Sequence, residues 1–513
     1  LQHSAYRSLD KVQRPRLHEA TARALEAIYA AEGEHFLAPA PQLARHFEAA
    51  GMPLDAARYH LEAGRWAARL VAYDEAIAHL EHGLALLDGV PASRERLRLE
   101  LRLYMAMGTP AMLQRGWQAP AYKRALERLS ELTQHPDLRD DSQRLTALSV
   151  LALSAGWSAD PERSGRVGEQ LLDLALSRDS GQAQEDDRQT LMLGHWALGL
   201  SHWLLGQPIP ARDHLDRAVG LYDPEANRAL GGLVVADPGV MARTMLGAVQ
   251  WQMGYPDQAR ASLRQAVVQA QALEQPSSLA FAHFMAVMIT SAVGHEVTTA
   301  LSHCQDLQQH GETSLVYNVW LALLAALAQA PTKDSGPGGA QAMTQAVEAL
   351  STWQAAGSGA GYAGLLLLEA ELFARAGQAE KGLEAIDQAQ EWIERTGVRP
   401  TEPEAWRMRG ELLLLAARDA QDLTGELHLA STDEAEACFH QALALAREQG
   451  ARWWELASAA SLARLWQSRG RPDEARELLA GIYSWFTEGF DTLDLVEAKA
   501  LLAELGECCR PTS

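Results

Sequence analysis

Gly254-Tyr-Pro256-Asp-Gln-Ala259 is one of four copies of the phrase Gly-x-Pro-x-x-Ala in this chain, each lying between two stretches of helical periodicity. The others are Gly51-Met-Pro53-Leu-Asp-Ala56, Gly206-Gln-Pro208-Ile-Pro-Ala211 and Gly470-Arg-Pro472-Asp-Glu-Ala475. A fifth, Gly377 to Gly382, keeps the frame without the proline. Glycine supplies the left-handed residue that closes one helix, and proline opens the next where no amide donor is needed. The acidic residues after Pro256 and Pro472 suit the positive end of the second helix. The small residue at the end of the phrase lets the two helices approach closely. A helical hairpin of this kind cannot bury its apolar face alone, so its repetition predicts a stacked solenoid.

The repeat frame reaches beyond the turn. With the small residue of the first helix as anchor, Gly64 is followed 12, 16 and 19 positions later by Ala76, Leu80 and Gly83. Gly199 leads in the same way to Ala211, Leu215 and Ala218, and Gly247 to Ala259, Leu263 and Ala266. Ala370 leads to Gly382, Ile386 and Ala389, and Ala463 to Ala475, Leu479 and Ile482. This small-small-large-small frame is the knob pattern of tetratricopeptide repeats. Weaker copies span 94–134 around Gly108, 142–178 around Gly156, 276–310 and 314–356. Another has a second helix marked by Ala435, Phe439 and Ala442, its anchor Gly410 displaced by an insertion near 419–432. Gly199 and Gly247 lie 48 residues apart, against about 34 in the standard repeat, so helices or loops are longer here. Asp160-Pro161, Asp223-Pro224 and Asp237-Pro238 each read as an N-cap followed by proline at the first helical position. The expected fold is all-α: a right-handed α-α superhelix, a tetratricopeptide-like solenoid of about ten helical hairpins.

Composition agrees and removes several functions. The 513 residues exceed one compact core, and Ala, Leu, Glu, Gln and Arg favour helices. A net charge of -21 argues against a nucleic-acid surface, where affinity rests on neutralising phosphates. The four cysteines, Cys304, Cys438, Cys508 and Cys509, are too scattered for a disulfide framework and fit a reduced, cytoplasmic chain. The longest apolar run, Val319 to Ala328, is half of the ~20 residues a membrane span requires. The chain starts at Leu1, with no signal peptide, and reads as part of a longer product. Residues 1–50 form a helical lead-in with helices near Arg16–Ala31 and Pro41–Ala50. Residues 51–490 hold the superhelix, and 491–513 a capping helix (to about 505) with a frayed tail from 506. Residues 178–187 and 331–339 read as exposed loops.

Three stretches carry a family resemblance. The first runs from Tyr6-Arg-Ser-Leu9 through Arg16-Leu17-His18 and Ala24-Leu25-Glu26 to Leu43-Ala-Arg-His46-Phe47-Glu-Ala-Ala-Gly51. The second joins Asp237-Pro238-Gly239-Val240 to Trp251-Gln-Met-Gly254-Tyr-Pro-Asp-Gln-Ala259. The third holds Leu462-Ala-Arg-Leu-Trp466, Tyr483-Ser-Trp485-Phe-Thr-Glu-Gly-Phe490 and Glu497-Ala-Lys-Ala. Together they resemble the tetratricopeptide sensor region of STAND-type signalling ATPases, the bacterial regulators that include the class III cyclase-associated ATPases and the maltose-activator-like group. The resemblance implies an upstream ATPase and winged-helix module, an effector in the same polypeptide, and a helical array that senses a ligand. No Gly-x-x-x-x-Gly-Lys-Ser/Thr phosphate loop is present, so ATP hydrolysis is not expected of this chain.

No catalytic signature stands out: there is no Gly-x-Ser-x-Gly elbow, His-Glu-x-x-His or Cys-x-x-Cys, and the seventeen histidines show no metal-ligand spacing. No enzyme activity, cofactor or metal is expected. Candidate binding residues come instead from the repeat register, where positions three before, one after and four after each anchor face the concave groove. These are Trp196, Leu200 and Trp203 around Gly199, and Thr244, Ala248 and Trp251 around Gly247. Trp157 precedes this row, Met285 and Ile289 continue it, and His195 and His202 flank it. Two readings of the row stand side by side: an aromatic groove for a protein or small-molecule ligand, and tryptophans packed between repeats. The second suits a passive scaffold or self-association domain without a ligand of its own. Toward the C-terminal end the inner positions turn charged, with Glu371, Arg407, Glu411 and Arg464.

Overall fold

The structure is a computed structural model that describes residues 13–30, 40–116, 119–139, 142–157, 159–177, 184–227, 236–292, 344–345, 347–352, 359, 361–419 and 425–508. The described residues form twenty-one α-helices and no strand. Their contacts gather into two units, Leu1–Ser154 with Leu230–Val235, and Ala155–Ala229 with Ala236–Ser513.

The first unit contains α1 (Gln13–Ala30), α2 (Ala40–Ala49), α3 (Pro53–Arg69), α4 (Tyr73–Leu87), α5 (Arg94–Arg115), α6 (Pro120–Gln134) and α7 (Ser142–Trp157) as far as Ser154. Consecutive helices from α1 to α6 pack as antiparallel neighbours, and α3 also touches α5, the first-helix to first-helix contact of stacked repeats. The lead-in belongs to this packing. Ala22, Leu43, Phe47 and Tyr59 share one buried cluster, Phe47 stacks on Tyr59 at 5.3 Å, and the Tyr59 hydroxyl donates to Glu26 Oε1 at 2.5 Å.

The second unit contains α8 (Pro161–Ser177), α9 (Gln184–Leu204), α10 (Pro208–Leu221), the single turn α11 (Pro224–Asn227), α12 (Pro238–Gln252), α13 (Pro256–Ala272) and α14 (Pro276–Ala292). It continues with α15 (Tyr362–Arg375), α16 (Ala379–Thr396), α17 (Glu402–Asp419), α18 (Gly425–Gln449), α19 (Arg452–Ser468), α20 (Pro472–Tyr483) and α21 (Leu493–Cys508). First helices of adjacent repeats meet at α12–α14, α15–α17, α17–α19 and α19–α21. The chain is an all-α solenoid of tetratricopeptide type.

The recurring phrase folds as its chemistry requires. Gly51, Gly206, Gly254, Gly377 and Gly470 all have φ between 69° and 91°. The amide after each glycine returns to the carbonyl five residues back, as in Gln207 to His202 at 2.8 Å and Tyr255 to Gln250 at 2.9 Å. This is the Schellman closure, and proline then starts the next helix without forfeiting a bond. One copy escaped the sequence reading. Val71 holds the glycine place before Ala76 at φ 62°, with Ala72 donating to Ala67 at 3.0 Å. A β-branched residue in the left-handed region costs roughly 1–2 kcal/mol, and Val71 is 62 % exposed, so no burial offsets it. Val71→Gly is therefore expected to stabilise the protein by about 0.5–1 kcal/mol, after the glycine's larger unfolded-state entropy, read as a higher urea midpoint.

The anchors also behave alike. A Cβ on Gly64, Gly199 or Gly247 would stand 2.7, 2.7 and 3.1 Å from Cγ of Leu80, Leu215 and Leu263 respectively. In each case the large residue of the frame sits directly over the missing side chain. Gly410 does the same for Phe439, whose Cε1 would lie 2.5 Å from an added Cβ. The displaced anchor is thus a working one.

Some boundaries differ from the expectations. Residues 184–187, read as loop, are the first turn of α9. Residues 425–432 extend α18, and the last helix runs to Cys508, past the expected fraying point at 506. Residues 331–339 and most of the 276–310 and 314–356 copies lie outside the described residues. No described helix is long and apolar enough to cross a membrane.

Candidate functional site

The charged inner positions of the C-terminal repeats converge. Glu371 and Arg375 from α15, Arg407 from α17, Arg464 from α19 and Asp494 and Glu497 from α21 line a cavity of about 240 Å³. Leu456, Ala457, Ala460 and Ser461 of α19 and Leu493 complete the lining. Helical spacing places these groups: residues three and four apart on one helix share a face. The sequence register named Glu371, Arg407 and Arg464 here, and Glu411 joins them through Arg407 at 3.4 Å and the Ser461 hydroxyl at 2.6 Å. Arg375, Asp494 and Glu497 were not anticipated. The last two stand on the capping helix, which the repeat frame does not cover.

The three arginines are held with unequal firmness. Arg407 donates two bonds to Glu404 one turn back, Nε to Oε2 at 2.8 Å and Nη2 to Oε1 at 2.6 Å. Their side chains are 17 % and 4 % exposed. Burial works against the Arg407 charge, but Glu404, Glu411 and Asp494 outweigh it and raise its pKa further. Arg375 pairs with Glu371 on its own helix. Arg464 reaches Glu497 at 2.8 Å, with about half of each side chain in solvent. Such an exposed pair is worth only about 0–1 kcal/mol, so a ligand carboxylate can displace Glu497 at little cost. The cavity therefore has a fixed guanidinium inside and an exchangeable one at its rim.

The tryptophan row lies elsewhere in the same unit and is covered. Trp196, Thr244 and Trp251 are 0 % exposed, Leu200 and Met285 1 % and Ile289 3 %. As the chain stands, these six side chains offer a ligand no surface. Trp251 is closed off where the C-terminal repeats fold back onto the middle ones, α12 packing on α19. Trp251 meets Trp453 edge-on at 5.8 Å, Trp453 meets Phe486 at 6.1 Å, and Arg260 covers Trp251 at 5.6 Å. The partly exposed members are bound locally: Trp203 Nε1 donates to Gln252 Oε1 at 3.1 Å, and His202 Nδ1 pairs with Gln207 Oε1 at 2.7 Å. His195 is half-buried, its Nδ1 2.9 Å from His214 Nδ1. The Trp157 backbone is helical, and its side chain lies outside the described residues.

Two of the stretches that carry the family resemblance meet in this closure. Glu488 accepts from the Asp257 and Gln258 amides at 3.0 and 3.1 Å, capping α13 from another repeat. The Gly489 amide donates to Asp257 Oδ2 at 3.1 Å, and Arg260 bonds Asp491 at 2.9 Å. Gly254 and Gly489 are both needed for the approach. An added Cβ would come within 2.7 Å of Trp485 Cζ3 at the first and 2.0 Å of Pro256 Cγ at the second. Two further bonds repeat the theme, the Arg399 amide donating to the Leu204 carbonyl at 2.7 Å and the Gln252 side chain (Nε2) to the Pro400 carbonyl at 3.2 Å.

No protein-family model and no curated protein sequence matches the chain. Solved structures do resemble it. Yeast Tom70 is 11 % identical, covering 96 % of this chain and 96 % of its own, with a TM-score of 0.35. A Rap protein complexed with competence and sporulation factor is 10 % identical, covering 77 % and 99 %, at 0.45. The human IFIT1 dimer with PPP-AAAA is 13 % identical, covering 98 % and 96 %, at 0.41. At such identities the likeness extends to the helical architecture and no further.

Proposed function

We propose that this chain is the ligand-binding sensor repeat domain of a STAND-type regulator and that it acts by binding rather than catalysis. In this reading its ligand is taken in the charged cavity between α15, α17, α19 and α21. The observation that carries the proposal is the convergence of three arginines and three carboxylates, from four helices, on one cavity of about 240 Å³. That volume is somewhat below the ~300–1,000 Å³ of drug-sized sites, and suits one amino-acid-sized group of a larger ligand. The balanced lining suits a group bearing both charges, such as a peptide terminus or a mixed-charge side-chain pair. Arg464 meets the ligand's carboxylate while Asp494 and Glu497 meet its cation. The signalling context, with ATPase and effector modules upstream, is supported by the resemblance of the three stretches quoted above.

The experiment is fluorescence anisotropy with a panel of short labelled peptides that carry free termini and mixed charge. A binder is expected to lose at least tenfold in affinity on Arg464→Ala, since a charge-assisted hydrogen bond contributes about 1.5–3 kcal/mol. The variant's stability should barely move. Equal affinity for wild type and variant contradicts the site. Burial of Trp196 and Trp251 is also what a passive scaffold requires. Sedimentation that finds a concentration-dependent oligomer with no peptide binding favours that reading.

A further inference from the structure

Histidines that show no ligand spacing in sequence are drawn together by the repeat packing of α2, α3 and α4. Glu48, His60 and His82 each present one donor atom, all within 4.8 Å of one another. His82 Nε2 lies 3.1 Å from Glu48 Oε2, and His60 Nε2 lies 4.0 Å from the same oxygen. His60 is only 6 % exposed, and its Nε2 is buried without a hydrogen-bond partner. An orphaned buried ring nitrogen calls for a reason.

Its other nitrogen supplies one. His60 Nδ1 lies 3.0 Å from His79 Nδ1, so one of the two carries the shared proton. With that proton on His60 Nδ1, the Nε2 lone pair points at Glu48 and His82. A hydrogen-bond partner that fixes the tautomer in this way is characteristic of metal-bound histidine. Glu75 stands 3.9 Å behind His79. We propose that Glu48, His60 and His82 form a binding site for a divalent transition-metal ion of zinc type, oriented through His79.

The geometry is close to what such an ion needs. Bonds of about 2.0–2.1 Å in a tetrahedron set neighbouring donors about 3.3 Å apart. Only His60 is fixed by burial, whereas the Glu48 and His82 side chains are 41 % and 47 % exposed and free to close the remaining gap. Two imidazoles and a carboxylate select zinc, cobalt or nickel over magnesium or calcium. The fourth position opens to solvent on the side of those exposed residues. Arg45 is close enough to disfavour a charge on His60 and opposes the ion. The protein also contains its own control. His195 and His214 repeat the His60–His79 pairing at the same offsets from Gly199, but Arg217 stands where His82 stands. A guanidinium there excludes a cation.

The test is Zn²⁺ titration of the 513-residue chain against a chromophoric chelator. One high-affinity equivalent is expected. Glu48→Gln and His82→Ala should each weaken it tenfold or more, and His79→Ala by about 10–100-fold. His214→Ala should leave it unchanged. Because Glu48 and His82 are half-exposed, these variants should keep the wild-type helical circular dichroism. Co²⁺ should give the intense visible bands of a four-coordinate site, absent in His82→Ala. No stoichiometric binding, or binding that Glu48→Gln and His82→Ala leave intact, overturns the proposal.

Discussion

Trp251→Ala is expected to cost about 3–5 kcal/mol of stability in the second unit, read as a fall in the urea midpoint. The indole is wholly buried, and it carries the contact between the middle and C-terminal repeats through Trp453. One term opposes the loss. The Trp251 Nε1 is buried without a partner, so its removal relieves about 1–3 kcal/mol of desolvation. The area and cavity terms outweigh that. Trp251→Phe separates the two, since it keeps a ring and deletes the orphaned donor, and it should cost far less than the alanine. A double-mutant cycle with Trp453→Ala should show coupling of about 0.5–1.5 kcal/mol, the worth of an edge-on aromatic pair.

Glu404→Ala should match it, at about 3–5 kcal/mol, because it strips a largely buried arginine of its two-bond partner. Arg407 would keep only Glu411 at 3.4 Å and the Ser461 hydroxyl at 3.2 Å. The comparison with Glu497→Ala is decisive. That carboxylate also pairs with a pocket arginine, yet it is half-exposed, and its loss should cost less than about 1 kcal/mol. If the two variants lost equal stability, the distinction between a fixed inner guanidinium and an exchangeable rim one would fail. The measurement is again the denaturation midpoint, with the peptide assay reporting on the cavity.

Much of the fold was legible because the turn chemistry is local. Glycine followed two residues later by proline dictates both the end of one helix and the start of the next, and four glycines behave so, with Gly377 closing its helix without the proline. The leucines sixteen places on were legible for the same reason, since a residue over a missing Cβ is a matter of hairpin register. Val71 shows the limit: the packing around Ala76 overrides the local preference, so the turn forms without its glycine. The charged cavity was half legible. Repeat register found Glu371, Arg407 and Arg464, while Asp494 and Glu497 come from a helix that the frame does not reach. The tryptophan row was placed on the right helices, but register cannot report that residues near 450–490 return to cover residues near 200–260. Likewise no spacing rule joins Glu48, His60 and His82, which three separate helices bring together.

The second unit closes on itself over Trp251, and the proposed recognition site is the arginine-lined cavity. Hydroxyl-radical footprinting of the native protein, read residue by residue by mass spectrometry, tests it most directly. Trp196, Trp251 and Trp453 should stay unmodified until the protein unfolds, while Phe490, 50 % exposed, is oxidised from the start. Oxidation of native Trp251 as readily as Phe490 would mean an open groove, and would contradict the account.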